Sequence, residues 1–142
     1  MPSRFRGAYE YRVDAKGRIP LPPAFREKLA KEGGVWAVGF EGNIRILPTP
    51  EWEKQIDHLA EQQNKKKVRE FLRFSYGLSF ELIIDGQGRA TIPSSLRQQA
   101  EINNEAIVVG VGTHIEVWSP KRWQAETEIL IANAEQISES LE

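Results

Sequence analysis

Residues 14–30 read DAKGRIPLPPAFREKLA, and residues 85–101 read DGQGRATIPSSLRQQAE. At an offset of 71, Asp14 meets Asp85, Gly17 meets Gly88, Arg18 meets Arg89, Pro22 meets Pro93 and Arg26 meets Arg97. The same offset, without a gap, pairs Glu10 with Glu81, Val38 with Val109, Gly39 with Gly110, Ile44 with Ile115 and Trp52 with Trp123. Residues 7–52 thus hold ten identities, where ordinary residue usage gives roughly three by chance. Apolar character carries over at unlike pairs too: Tyr9/Phe80, Val13/Ile84, Leu21/Ile92, Phe25/Leu96 and Ile46/Val117. The chain is a tandem duplication.

Each copy has the pattern β-turn-β-α-β-turn-β. Residues 9–13 alternate and favour β residues, so they read as a strand. Asp-x-x-Gly-Arg is a tight turn: the Asp side chain bonds amides two residues on, and Gly supplies a positive φ. Asp14, Gly17, Asp85 and Gly88 are therefore turn-forming. A second strand covers 18–21 and 89–92, and Pro22 and Pro93 end it and admit a short helix at 24–31 and 95–100. Strands at 35–40 and 44–47, and at 106–111 and 115–118, form a second hairpin. The fold class expected is α+β, mainly β. The first repeat is placed at 8–52, a helical connector at 53–78, the second repeat at 79–123 and an acidic helix at 124–142. Within the connector, 53–73 reads as one helix, with Ile56, Leu59, Val68, Phe71 and Leu72 as a sparse apolar stripe. A unit this small buries little apolar surface alone, so the two copies are expected to pack about a pseudo-twofold axis.

Composition narrows the chemistry. The chain has 142 residues, 40% hydrophobic and 27% charged, as a globular protein does. Without cysteine there is no disulfide and no thiolate metal site, and with two histidines a His-rich site is nearly excluded. Neither a metal nor a cofactor is expected. No apolar run is long enough to span a bilayer, and no apolar h-region follows the basic start, so the chain reads as cytoplasmic with no membrane partner. The net charge of −1 hides a gradient: residues 1–28 carry seven basic and three acidic residues, residues 121–142 two basic and five acidic. A basic head on a neutral chain points either to a localised partner, a polyanion being one candidate, or to scattered solvated surface charges.

The turn Asp-x-x-Gly-Arg, followed by an apolar-Pro step and a short Arg-containing helix, resembles the SpoVT/AbrB-type DNA-binding module. Two such copies in tandem, opening with Phe5-Arg6-Gly7-Ala8 after the extension Met1-Pro2-Ser3 and closing the first copy with Pro50-Glu51-Trp52, resemble the MraZ family of bacterial transcriptional regulators. The resemblance covers nearly the whole chain. It implies a swapped-hairpin, double-split barrel built from both copies and a ring-shaped homo-oligomer. It also implies binding to repeated promoter boxes upstream of the chain's own gene, in the division and cell-wall cluster, and association with the nucleoid.

The residues support DNA chemistry independently. With Lys16 in the turn, Arg18 after it, Arg12 on the strand before it and Arg6 on the approach, a hairpin presents four cations. A two-stranded ribbon fits the major groove, an Arg fork matches guanine O6 and N7, and Lys and peptide amides hold phosphates. The candidate DNA-binding residues are Arg6, Arg12, Lys16 and Arg18, with Gln87 and Arg89 at the matching positions of the second copy. Arg18 and Arg89 can also brace their turns against Asp14 and Asp85. Lys65–Lys67 read as a solvated face, and the four tryptophans as core or subunit-interface anchors. Neither His58 nor His114 stands in a catalytic triad pattern and no glutamate pair stands out, so an enzyme is not expected. The alternative is an antitoxin-like protein-binding module. Such modules carry one copy and a disordered tail, whereas this chain has two copies and a tail of helical periodicity.

Overall fold

The computed structural model describes residues 4–141, so the extension 1–3 and the last residue of the acidic tail, 142, lie outside the described residues. The first copy comprises strand β1 (Ala8–Arg12), β2 (Arg18–Pro20), helix α1 (Pro23–Glu32), β3 (Gly34–Val38) and β4 (Ile44–Pro48). Helices α2 (Thr49–Ala60) and α3 (Lys65–Gly77) follow. The second copy comprises β5 (Phe80–Glu81), β6 (Arg89–Thr91), α4 (Ser94–Gln99), β7 (Glu105–Gly110) and β8 (Ile115–Trp118), and α5 (Pro120–Ser140) closes the chain.

Local chemistry sets these boundaries. Pro22 and Pro93 precede α1 and α4 in extended conformation, each with φ near the proline value (−53° and −56°). The connector forms two helices, not the single one its periodicity suggested. Asn64 breaks it, because its side chain accepts the Lys67 amide at 3.1 Å and so starts α3 afresh. In the second copy the first strand shrinks to Phe80-Glu81.

The sheet pairing crosses between copies. Six strands form one antiparallel sheet in the order β1-β7-β8-β4-β3-β5, and β2 pairs with β6 in a separate two-stranded sheet. Exchange the copies and the first order reads the same from its other edge. β1 thus lies on β7 of the second copy, and β5 on β3 of the first. The second hairpins, β3–β4 and β7–β8, form within their own copies as read from sequence. Beyond an isolated Ile84–Ala90 bridge in the second copy, the first hairpins form no ladders of their own: their arms diverge into different sheets. The described strands make two sheets and no single closed ring of strands.

Two register pairs join duplicated positions to themselves and so mark the pseudo-twofold: Arg45 opposite Glu116 and Ile19 opposite Ala90. The core fills the space around them with Ile19, Leu21, Phe25, Ile44 and Ile46 and their counterparts Ala90, Ile92, Leu96, Ile115 and Val117, together with Trp36, whose counterpart Ile107 packs in a second cluster with Val109 and Trp118. Each fully buried aliphatic side chain contributes roughly 1.5–3 kcal/mol. Trp36 and Trp118 are buried in the core, while Trp52 stacks edge-on to Tyr76 and Trp123 packs on Trp118 with centroids 5.7 Å apart. No residue of α5 is buried, and Ile129, Leu130 and Ile131 stand exposed on it. Among the described residues no helix is long and apolar enough to cross a membrane.

Candidate nucleic-acid interface

The two Asp-x-x-Gly-Arg turns are built alike. Asp14 Oδ1 accepts the amides of Lys16 and Arg18, both at 2.9 Å, and Oδ2 accepts Arg18 Nε at 2.6 Å. Asp85 Oδ1 accepts the amides of Gln87 and Arg89, both at 2.9 Å, and Oδ2 accepts Arg89 Nε at 3.0 Å. Backbone bonds close each loop: the Gly17 amide donates to the Asp14 carbonyl at 2.9 Å and the Gly88 amide to the Asp85 carbonyl at 3.0 Å. Gly17 and Gly88 take φ of +80° and +78°, which side chains with a Cβ adopt only under strain.

These bonds fix the charge state of the carboxylates. Chiefly through the Arg18 amide, against some opposing desolvation, Asp14 is held down at about 2. The Arg89 amide depresses Asp85 in the same way. Both aspartates are therefore anions across the physiological range. Each guanidinium spends its Nε on the carboxylate, and the braced arginines remain partly exposed, 29% at Arg18 and 30% at Arg89.

The β2–β6 ladder then sets the two turns in relation. Arg18 lies opposite Thr91 and Pro20 opposite Arg89, so all four share one face, while Ile19 and Ala90 point into the core on the other. The ladder continues through the glycines: the Leu21 amide donates to the Gly88 carbonyl at 3.0 Å and the Ile92 amide to the Gly17 carbonyl at 2.9 Å. Each turn therefore sits at one end of an inter-copy ribbon that carries both arginines on its outer face. The ribbon expected within each first hairpin is replaced by this one, because the arms of those hairpins separate.

The remaining candidates lie in the turns and at the two ends of β1. Lys16 and Gln87 are exposed in the turns. Arg12 ends β1, exposed and opposite Glu105. Arg6, also exposed, lies at the far end of β1, where neighbouring Phe5 bridges to Gly112. Six positions along the chain separate Arg6 from Arg12, a distance of up to about 20 Å. The structure thus groups Lys16 with Arg18 and Gln87 with Arg89, and leaves Arg6 apart from them.

Two residues next to the turns were not singled out from the sequence. Arg97 of α4 packs against Gly17, its Nη1 3.1 Å from where a Cβ would stand, and Arg26 of α1 packs against Gly88. Each helix arginine serves the turn of the other copy. The signal was available, since Arg26 and Arg97 are an identical pair at the repeat offset. Other titratable groups lie elsewhere: His58 is exposed on α2, and His114 contacts Glu116 at 3.4 Å. Among the described residues no cluster of three or more His, Asp or Glu is placed to hold a metal ion.

Comparison with known proteins agrees with this architecture. The family model described as MraZ protein, antitoxin-like, matches residues 4–74 and 77–141. A transcriptional regulator MraZ from Dehalococcoides mccartyi is 39% identical over 97% of this chain and 98% of the relative. Proteins of the same name from Syntrophomonas wolfei and Pediococcus pentosaceus are 36% and 35% identical, each over 96% of both chains. A repeat with paired Asp-braced turns, matched end to end at this identity, leaves one assignment: the chain belongs to the MraZ family.

Proposed function

We propose that the protein is a sequence-specific DNA-binding transcriptional regulator. One observation carries this reading: Arg18 and Arg89, each braced by an aspartate, lie on the same outer face of the inter-copy β2–β6 ribbon. A guanidinium held through Nε keeps its outer nitrogens for guanine O6 and N7 or for a phosphate beside them. Lys16, Gln87 and Arg12 supply backbone contacts around that face, and Arg6 supplies one farther away, beyond the other end of β1. Asp14, Gly17, Asp85 and Gly88 build the turns and make no contact of their own.

A single ribbon spans few base pairs, so affinity comes from linked copies at high effective concentration. We therefore read the protein as a ring-shaped homo-oligomer engaging repeated boxes upstream of its own gene in the division and cell-wall cluster, at the nucleoid in the cytoplasm. The repeats 8–52 and 79–123 act as paired halves of a double-split barrel. The exposed Ile129, Leu130 and Ile131 of α5 support a subunit contact along the tail helix. The acidic tail, kept from the DNA face, limits non-specific binding.

Fluorescence anisotropy with the duplex upstream of the gene and a shuffled duplex tests this reading. Tight binding to the native duplex alone supports it. Equal binding to both reduces the site to a basic patch, and no binding to either moves the search to a protein partner of the antitoxin kind.

A further inference from the structure

Duplication should make the two turns equivalent, yet Gln87 stands where the first turn has Lys16. The second turn therefore carries one cation fewer of its own. The helix arginines differ in the opposite sense. Arg97 is tied down: its Nε donates to the Ile102 carbonyl at 3.1 Å and its Nη2 to the Asn103 carbonyl at 2.7 Å. Those carbonyls are within reach because α4 stops at Gln99 and the chain reverses through Glu101, at φ +55°. In the first copy α1 runs on to Glu32, so the counterpart positions 31 and 32 are still helical. Arg26 is left without those acceptors. Its Nε is buried with no hydrogen-bond partner among the described residues, and its guanidinium lies across Gly88, in the second copy's turn.

A buried guanidinium N–H without a partner is costly. The Arg26 Nε is shut from solvent, so a phosphate meets the terminal nitrogens, of which Nη1 lies against Gly88 in the second turn. We infer that Arg26 of the first copy completes the second copy's DNA-binding turn, supplying through a phosphate contact the cation that Gln87 does not. One interface end is then built by Lys16 and Arg18 of the first copy alone, and the other is a composite of Gln87 and Arg89 of the second copy with Arg26 of the first. Arg97 is a structural brace for the first turn and contacts no phosphate. The inference rests on the DNA reading above.

The test uses the full chain and the same duplex, in a salt series, with thermal midpoints measured in parallel. Arg26→Ala is expected to weaken binding about tenfold, the scale of one charge-assisted hydrogen bond. It should lower the slope of log K against log salt by about one for each subunit engaged. Arg26→Lys should restore the slope. The Arg26→Ala loss should shrink in an Arg89→Ala background, where the turn is already impaired, and persist in an Arg18→Ala background. Arg97→Ala should lower the thermal midpoint and leave the slope unchanged. If Arg26→Ala leaves affinity and slope at the wild-type values, or if its loss follows the thermal midpoint and Lys fails to restore it, the assignment falls while the DNA reading stands. Failure of the wild-type protein to bind either duplex overturns the DNA reading and the assignment together.

Discussion

Arg45 and Glu116, the same position in the two copies, face each other across β4 and β8 at the pseudo-twofold. They are not direct ion-pair partners. Arg45 donates Nε to the Val38 carbonyl at 3.0 Å and Nη1 to Gln55 at 3.2 Å, while Glu116 accepts Trp118 Nε1 at 3.0 Å and contacts His114. Burial pushes the Glu116 carboxyl up, but the bonds from His114 and Trp118 and the charges of His114 and Arg45 outweigh it and bring it below its usual value. Two divergent residues at one duplicated site thus give the join between copies opposite charges.

Arg45→Glu should therefore destabilise the fold. It sets two carboxylates directly opposite, which costs roughly 1 kcal/mol, and removes two charge-assisted hydrogen bonds of roughly 1.5–3 kcal/mol each before relaxation. Chemical denaturation checks this. A midpoint unchanged from wild type would mean that the pair contributes nothing to joining the copies.

The turn glycines should respond unequally. Gly17→Ala forces an L side chain into positive φ at a cost of roughly 1–2 kcal/mol, with a tight contact at 3.1 Å to the flexible end of Arg97. Gly88→Ala meets the same strain and also runs into the Arg26 guanidinium, so it should cost more. In an Arg26→Ala background the excess should disappear. Thermal midpoints of the four variants decide it, and equal losses for both glycines would show that Arg26 moves aside freely.

Asp14 makes a pH prediction. Its folded value, about 2, lies below the ordinary 3.8. A depressed carboxylate contributes stability that is complete above the unfolded value and lost as pH falls through the folded one. The turn should hold above about pH 4 and loosen between there and about pH 2. Carbon-detected NMR of the Asp14 carboxyl should give a midpoint near 2, and a midpoint near 4 would show that the turn bonds do not form in solution.

On α5, Leu130→Glu with Ile131→Glu should leave the fold intact, because both positions are exposed. The same change should shift the sedimentation profile to smaller species if the tail helix joins subunits. An unchanged profile places the subunit contact elsewhere.

The duplication, the turns and the strands within each copy were legible from identities at one offset. Which strand pairs with which was not. Alternation at Tyr9, Tyr11 and Val13 marks a strand, but it does not say that β7, nearly a hundred residues away, is the neighbour. The same gap hid the β2–β6 ribbon, and with it the shared face of Arg18 and Arg89. It also hid Arg26 and Arg97, whose partners lie in the other copy. The split of the connector turned on one side-chain cap at Asn64, which a sparse apolar stripe does not resolve.

The most direct test of the central claim is the salt dependence of binding to the upstream duplex by wild type, Arg18→Ala, Arg89→Ala and the double variant. Each single change should weaken sequence-specific binding by one to two orders of magnitude, as loss of a charged bidentate contact does. The double variant should bind native and shuffled duplexes alike, with its thermal midpoint still showing a folded protein. A double variant that remains folded and still prefers the native duplex as wild type does would contradict the account.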